Sequence, residues 1–241
     1  MKKTIYAVLI GFMIVVLHGY ALAYTINDTY IGSNDHGYGD VIGDPTLFDV
    51  SGMNVTYSGG TLTVDVYSRY FNNIGAYSTQ LGDLFISTNG WNPYGSVPYL
   101  SDNAANGQKW QYAAVLDNRS AISGTLALYS TANGTIVNSS APAGYIWRDG
   151  QEVQFSPSGE ALAIGEWSIL GLDTAVDTDD ILRLIITYGW ENTDFGFHWA
   201  MSCGNDVIEG AAAPVPEPAT LLLLGSGLLG MGAFARRRVK T

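Results

Sequence analysis

GMNVTYSGGTLTVDVYS, residues Gly52–Ser68, is the stretch whose pattern decides the fold. Leu62, Val64 and Val66 alternate with Thr61, Thr63, Asp65 and Tyr67, the period of two that puts apolar side chains on one face of a strand and polar ones on the other. Ser58-Gly59-Gly60 supplies the glycines that a tight turn needs, because the turns that match strand twist require positive φ. The segment predicts a β-hairpin.

Outward from that hairpin the same signal recurs. Strand candidates are TYI near Tyr30, DLFIS from Asp83, WQYAAVL from Trp110, GTLALYS from Gly124 and QEVQFS from Gln151. EWSILG from Glu166, ILRLIITYGW from Ile181 and FGFHWAMS from Phe195 follow. Turn residues separate them, and no stretch between them has the 3.6-residue period of a crossover helix, which favours packed antiparallel sheets. The expected fold class is all-β, a single β-sandwich of jelly-roll or lectin-like type over residues 24–210. Arg183, inside the apolar run from Ile181, needs an edge or a carboxylate partner.

The two ends of the chain differ from this body. Lys2 and Lys3, an apolar run from Ile5 to Leu17, and Ala21-Leu22-Ala23 stand in the order of a secretory signal peptide, residues 1–23. Cleavage after Ala23 leaves Tyr24 first, so no cysteine is there to be lipidated. At the other end, a small and proline-rich linker, 211–218, leads into an apolar run, 219–235, and a basic tail, 236–241. As a helix that run spans about 25 Å, close to the roughly 30 Å of a hydrocarbon core. Arg236, Arg237 and Arg238 stay cytoplasmic by the positive-inside bias. Hydropathy alone leaves open a permanent anchor or a processed one.

Six of the eleven basic residues lie in these terminal segments, while all 22 acidic residues lie between Tyr24 and Glu217. The exported part therefore carries a net charge of about −17, which disfavours nucleic acid as a partner because phosphate neutralisation needs clustered lysine and arginine. Cations, neutral glycans and basic partners fit that charge. Cys203 is the single cysteine, so no intrachain disulfide forms despite export.

The C-terminal order Val215-Pro216-Glu217-Pro218-Ala219-Thr220, apolar helix, Arg236-Arg237-Arg238 resembles the PEP-CTERM sorting signal of exported bacterial proteins. The resemblance covers about the last 28 residues. It implies an exosortase, a membrane enzyme that cuts near the Pro-Glu-Pro element, so that Pro216, Glu217 and Pro218 are residues another enzyme reads. It also implies a cell-surface or matrix destination in bacteria that make extracellular polysaccharide. The blocks YIGSNDHGYGDVIGD, GDLFIST, WNPYGS and CGNDVIEG are similar to a group of exosortase-dependent surface proteins, a likeness that carries no activity.

Several constellations bear chemistry. Trp91, Tyr94 and Tyr99, among asparagines and glycines, are candidates for stacking on sugar faces, or for plugging one end of the body. Asp35, Asp40 and Asp44 in a glycine-rich loop offer oxygen ligands of the kind calcium prefers, although they lack the EF-hand spacing and suit an ordinary turn equally. The run Asp173, Asp177, Asp179 and Asp180 reads as a charged loop before a strand. Glu166 and Glu191, each beside a tryptophan, are a possible glycosidase pair if their carboxyls come within about 5 to 9 Å. A thiol mechanism would need Cys203 near His198 or His36. Gly225-Ser226-Gly227-Leu228-Leu229-Gly230 spells a dinucleotide fingerprint but lies in the terminal apolar run, without the strand and acidic residue that motif requires. Thr61 and Thr63 form one T-x-T step of the type ice-binding surfaces repeat.

The sequence thus predicts an exported, noncatalytic binder of extracellular polysaccharide or an envelope or biofilm component. Its rivals are a secreted glycan hydrolase using Glu166 and Glu191, and an ice-binding protein.

Overall fold

The computed structural model describes residues 22–33, 39–172, 179–190 and 194–212. The signal peptide up to Ala21, Asp35, His36, Glu191 and the whole segment from Ala213 to Thr241 lie outside the described residues. So do the PEP element, the expected span 219–235 and the arginine tail. Among the described residues no helix is long and apolar enough to cross a membrane.

The hairpin from which the sequence was read is present. Strands β2 (Val50–Ser58) and β3 (Thr61–Ser68) pair antiparallel from Ser58↔Thr61 outward, with Gly59 and Gly60 at φ 58° and 84° in the turn. Those angles are the left-handed pair that a side chain resists and glycine accepts. Leu62, Val64 and Val66 are fully buried.

Ten strands join in one antiparallel ladder. Besides β2 and β3 it holds β1 (Leu22–Asn27), β4 (Leu84–Ser87), β5 (Tyr112–Leu116), β6 (Ser123–Ser130), β9 (Ala163–Leu170), β10 (Asp180–Thr187), β11 (Phe195–Ala200) and β12 (Val207–Ala212). The spatial order is β1-β2-β3-β10-β9-β6-β5-β4-β11-β12. The end strands β1 and β12 come together, so the sheet is nearly closed. The ladder is continuous from β1 to β12. At the closing seam Gly210 makes room for Ile26, since a Cβ there would lie 2.6 Å from the Ile26 Cγ2.

The remaining pair, β7 (Gly134–Asn138) and β8 (Glu152–Pro157), forms a two-stranded ribbon laid over the outer face of β4, β5 and β11. This explains why β11 is buried along its whole length. Phe195, Phe197 and Trp199 enter the main core, while His198 and Ala200 on the opposite face are covered by the ribbon. Asp83 ties the layers: its carboxylate accepts from Leu116 N (3.1 Å) and Phe155 N (2.8 Å) and pairs bidentately with Arg119 at 2.9 and 2.7 Å. Arg183 finds the expected carboxylate, Asp65, across the β3–β10 pair at 2.7 and 2.6 Å.

The sequence missed three strands. Tyr30 is buried but lies after β1, not in it. Two residues of β1 precede the expected cleavage point, and β12 runs two residues past Gly210 into the segment assigned to the linker.

Candidate functional site

The three aromatic candidates do not form one platform. Trp91 Nε1 donates to Glu209 Oε1 at 2.7 Å, and its ring meets Tyr99 edge-on at 5.2 Å between centroids. Tyr99 in turn packs against Tyr30, and both rings lie against the small cluster of Tyr30, Val153, Ala200 and Val207. Tyr94 is 52 % exposed. Glu209 also holds His198 Nδ1 at 2.8 Å, while His198 Nε2 meets the Glu152 carbonyl at 2.6 Å. A carbonyl only accepts, so Nε2 carries a proton. Burial pulls the His198 pKa down, but Glu209 outweighs it and the net direction is upward.

The Cys203–His198 form of the thiol reading fails on this geometry, and His36 lies outside the described residues. Both nitrogens of His198 are occupied, and Cys203 is wholly buried, which pushes its thiol up to about 12. A thiolate nucleophile needs the opposite environment. Glu166 lies on the outer face of the sheet, lining a shallow hollow of about 380 Å³ with Trp167, Arg183 and Ile185, and among the described residues no other carboxyl lines it. The Thr61–Thr63 step extends to Thr187, whose Oγ1 lies 2.9 Å from Thr61 Oγ1, but the Asp65–Arg183 pair interrupts the array.

A groove of about 420 Å³ has the composition that the Trp91 loop lacks. It is lined by Gly43, Asp44, Leu47, Phe48, Tyr77, Tyr145, Ile146, Trp147 and Asn205, among others. Tyr77 (57 % exposed) and Tyr145 (42 % exposed) belong to it, each close to a more buried ring: Tyr77 to Phe48 at 5.9 Å, and Tyr145 to Trp147 at 6.5 Å. Asp44 caps the short helix α1 (Pro45–Phe48), accepting from Thr46 N and Thr46 Oγ1 at 2.9 and 2.8 Å. The loop before α1 is pinned by Ile42 N donating to the Asn205 carbonyl at 2.8 Å. Asn205 is 4 % exposed, and its Oδ1 has no hydrogen-bond partner among the described residues.

Tyr77 is held outward at a backbone cost. Tyr77 and Ser78 both sit at positive φ, 53° and 61°, a conformation that L-residues avoid. Thr79 stabilises it: its N–H and hydroxyl both donate to the Ala76 carbonyl, and the Tyr70 hydroxyl bonds to Thr79 Oγ1 at 2.9 Å.

The calcium candidates separate. Asp44 serves as the helix cap, and its hydrogen bonds with Thr46 lower its pKa. Asp40 instead meets Asp28 and Asp206, with ligand oxygens of all three within 4.8 Å of one another. Asp206 is fully buried, its oxygens taken by Val50 N (2.6 Å) and Val207 N (2.8 Å). Asp28 Oδ1 and Asp40 Oδ1 are buried and lack a neutral donor. Burial, then the neighbouring Asp40, pushes Asp28 up to about 8. Three carboxyls so placed need a shared proton or a cation. Asp179 of the later acidic run accepts from Ser51 Oγ and pairs with Arg69 at 3.5 Å, as a surface loop residue does.

Neither the groove nor the aspartate trio was legible in the sequence as a unit, because each draws on segments far apart in the chain. One signal was available: Asn205-Asp206 sits in the CGNDVIEG block, with Asn205 lining the groove and Asp206 in the trio.

Residues 214–238 match the family model of the PEP-CTERM protein-sorting motif. No curated protein and no solved structure matches the chain. The match contains Pro216, Glu217, Pro218, Arg236, Arg237 and Arg238, the residues singled out for sorting. The chain therefore carries a PEP-CTERM sorting motif, the mark of an exported protein handled by an exosortase.

Proposed function

We propose that the exported body is a noncatalytic polysaccharide-binding component of the cell surface or matrix, and that the Tyr77–Tyr145 groove is where it binds. The observation that carries this is a strained backbone presenting an exposed tyrosine on a groove that holds a second exposed tyrosine. Sugar rings offer apolar C–H faces to such rings. Its volume falls within the roughly 300–1,000 Å³ of ordinary ligand sites. The charge of the body favours a neutral chain over an acidic one. A lectin-like sandwich is our reading of the nearly closed sheet, since side chains from every part of the ladder fill its interior.

Affinity electrophoresis in gels containing neutral polysaccharides tests the assignment. Retardation of the wild type is expected, with about a tenfold loss for Tyr77→Ala combined with Tyr145→Ala, as two aromatic contacts of about 0.5–1.5 kcal/mol would give. Unchanged retardation in that variant refutes the groove, and reducing ends released from the polymer refute the noncatalytic reading. We further propose cleavage near Pro216–Pro218. Mass spectrometry of surface-released protein is expected to find a C-terminus there, and retention of Arg236 would show a permanent anchor instead.

A further inference from the structure

A second, smaller pocket lies between the loop preceding β5 and the β7–β8 ribbon. It has a volume of about 190 Å³ and is lined by Ala104, Gln108, Lys109, Trp110, Ile136, Asn138 and Glu152. Its deepest members are Trp110 and Glu152, each 5 % exposed, and Trp110 Nε1 donates to Glu152 Oε1 at 3.3 Å. This indole and carboxyl are locked together before any ligand arrives. Gln108 is committed to the protein: its Nε2 donates to Ser87 Oγ (3.3 Å) and the Lys109 carbonyl (2.8 Å), and its Oε1 accepts from Asn92 N (2.6 Å). Gln108 therefore shapes the wall. Lys109 Nζ has one long contact, 3.4 Å to the Ala104 carbonyl, and Asn138 is exposed on β7, directly across the ribbon from Glu152.

Burial raises the Glu152 pKa, with Asp102 and Glu209 nearby and His198 opposing. The Glu152 carboxyl offers acceptor oxygens at the floor of the pocket, which suit a sugar hydroxyl. The volume is below the lower end of about 300 Å³ for drug-sized ligand pockets, which leaves room for one ring and not for a chain.

We infer that this pocket binds a single neutral hexopyranose, its apolar face against Trp110 and Ile136 and its hydroxyls shared among Glu152, Asn138 and Lys109. This site is distinct from the groove and does not depend on it. A uronate would bring a carboxylate beside Glu152 and its acidic neighbours, and an amino sugar would bring a cation beside Lys109.

Saturation-transfer NMR on the full chain in detergent tests this with glucose, galactose, mannose, N-acetylglucosamine, glucosamine and glucuronate as probes. At least one neutral hexose is expected to bind saturably, and Asn138→Ala and Lys109→Ala should each weaken it about threefold to tenfold, the effect of one lost hydrogen bond. Both positions are at the rim, and unchanged melting curves will show that the fold is intact. Glu152→Gln, which keeps an acceptor oxygen and the side-chain shape, should retain binding, whereas Glu152→Met should lose it. The Tyr77→Ala, Tyr145→Ala variant should bind the hexose as the wild type does, even where it no longer binds polymer. No binding by any neutral hexose, binding restricted to the charged sugars, or equal affinity in both rim variants overturns the assignment.

Discussion

Asp28→Asn tests the electrostatics of the aspartate trio through the pH dependence of stability. Asp28 is buried beside Asp40 and Asp206, and its carboxyl is pushed up to about 8. The native state therefore keeps a proton that the unfolded chain releases near its ordinary carboxylate value. Because the folded form binds more protons over that interval, this contribution is fully present below about pH 4 and is lost as pH rises through about 8. A displacement of that size corresponds to about 6 kcal/mol as an upper bound, at about 1.4 kcal/mol per pH unit. Asp28 is only partly buried, so solvent screening brings the expected effect nearer to about 2 kcal/mol. Asparagine stays neutral throughout and can donate to Asp40. Urea denaturation at pH 5, 6.5 and 8.5 should show the variant gaining about 2 kcal/mol over the wild type at pH 8.5 and almost nothing at pH 5. The variant will keep some residual slope from Asp206, whose pKa is raised chiefly by burial. Parallel stability curves for the two proteins would refute a raised Asp28 pKa in the folded state.

A divalent ion competes with that proton for the same oxygens, so excess calcium at pH 8 should raise the melting temperature of the wild type, by up to about 2.7 kcal/mol of stability at a hundredfold excess over Kd. Chelator should reverse the rise and Asp28→Asn should abolish it; no shift in the wild type removes calcium from this site. Asp83→Ala strands the Arg119 guanidinium and two backbone N–H groups, and should cost about 3–5 kcal/mol by denaturant titration. A loss under about 1 kcal/mol would mean that water replaces the carboxylate and that the ribbon is not tied down through Asp83.

Strand alternation was legible wherever one face of a strand meets solvent. β3 and β10 show it plainly, because Leu62, Val64 and Val66 lie beside Ile186, Leu184 and Leu182 in register while Asp65 and Arg183 pair on the outside. The pattern fails where the ribbon covers a second face. β12 is buried at Val207, Ile208, Glu209 and Gly210 in succession, so its sequence, VIEGAA, has no period and leads straight into alanines and prolines. Its glutamate points to His198 and Trp91, a role that only the folded neighbours supply. β7 is the opposite case, an outer ribbon strand whose short GTIVN run is mostly exposed.

The aromatic signal was real, but its location was not legible. Clustering in sequence drew attention to Trp91, Tyr94 and Tyr99, where Tyr30 and Glu209 capture two of the three side chains in a packed cluster. The groove instead gathers Phe48 from a four-residue helix, Tyr77 from a strained turn, Tyr145 and Trp147 from the loop before β8, and Asn205 from the turn before β12. No window of sequence contains two of these sources. A local hint did exist at Tyr77, since Gly75 adopts φ 87° just before two positive-φ residues, yet nothing in IGAYST specifies that Tyr77 must point outward. Thr79 closes the turn beneath it and the Tyr70 hydroxyl, which lies outside that window, holds Thr79, so the backbone that presents the ring is secured in part by a residue the window does not contain.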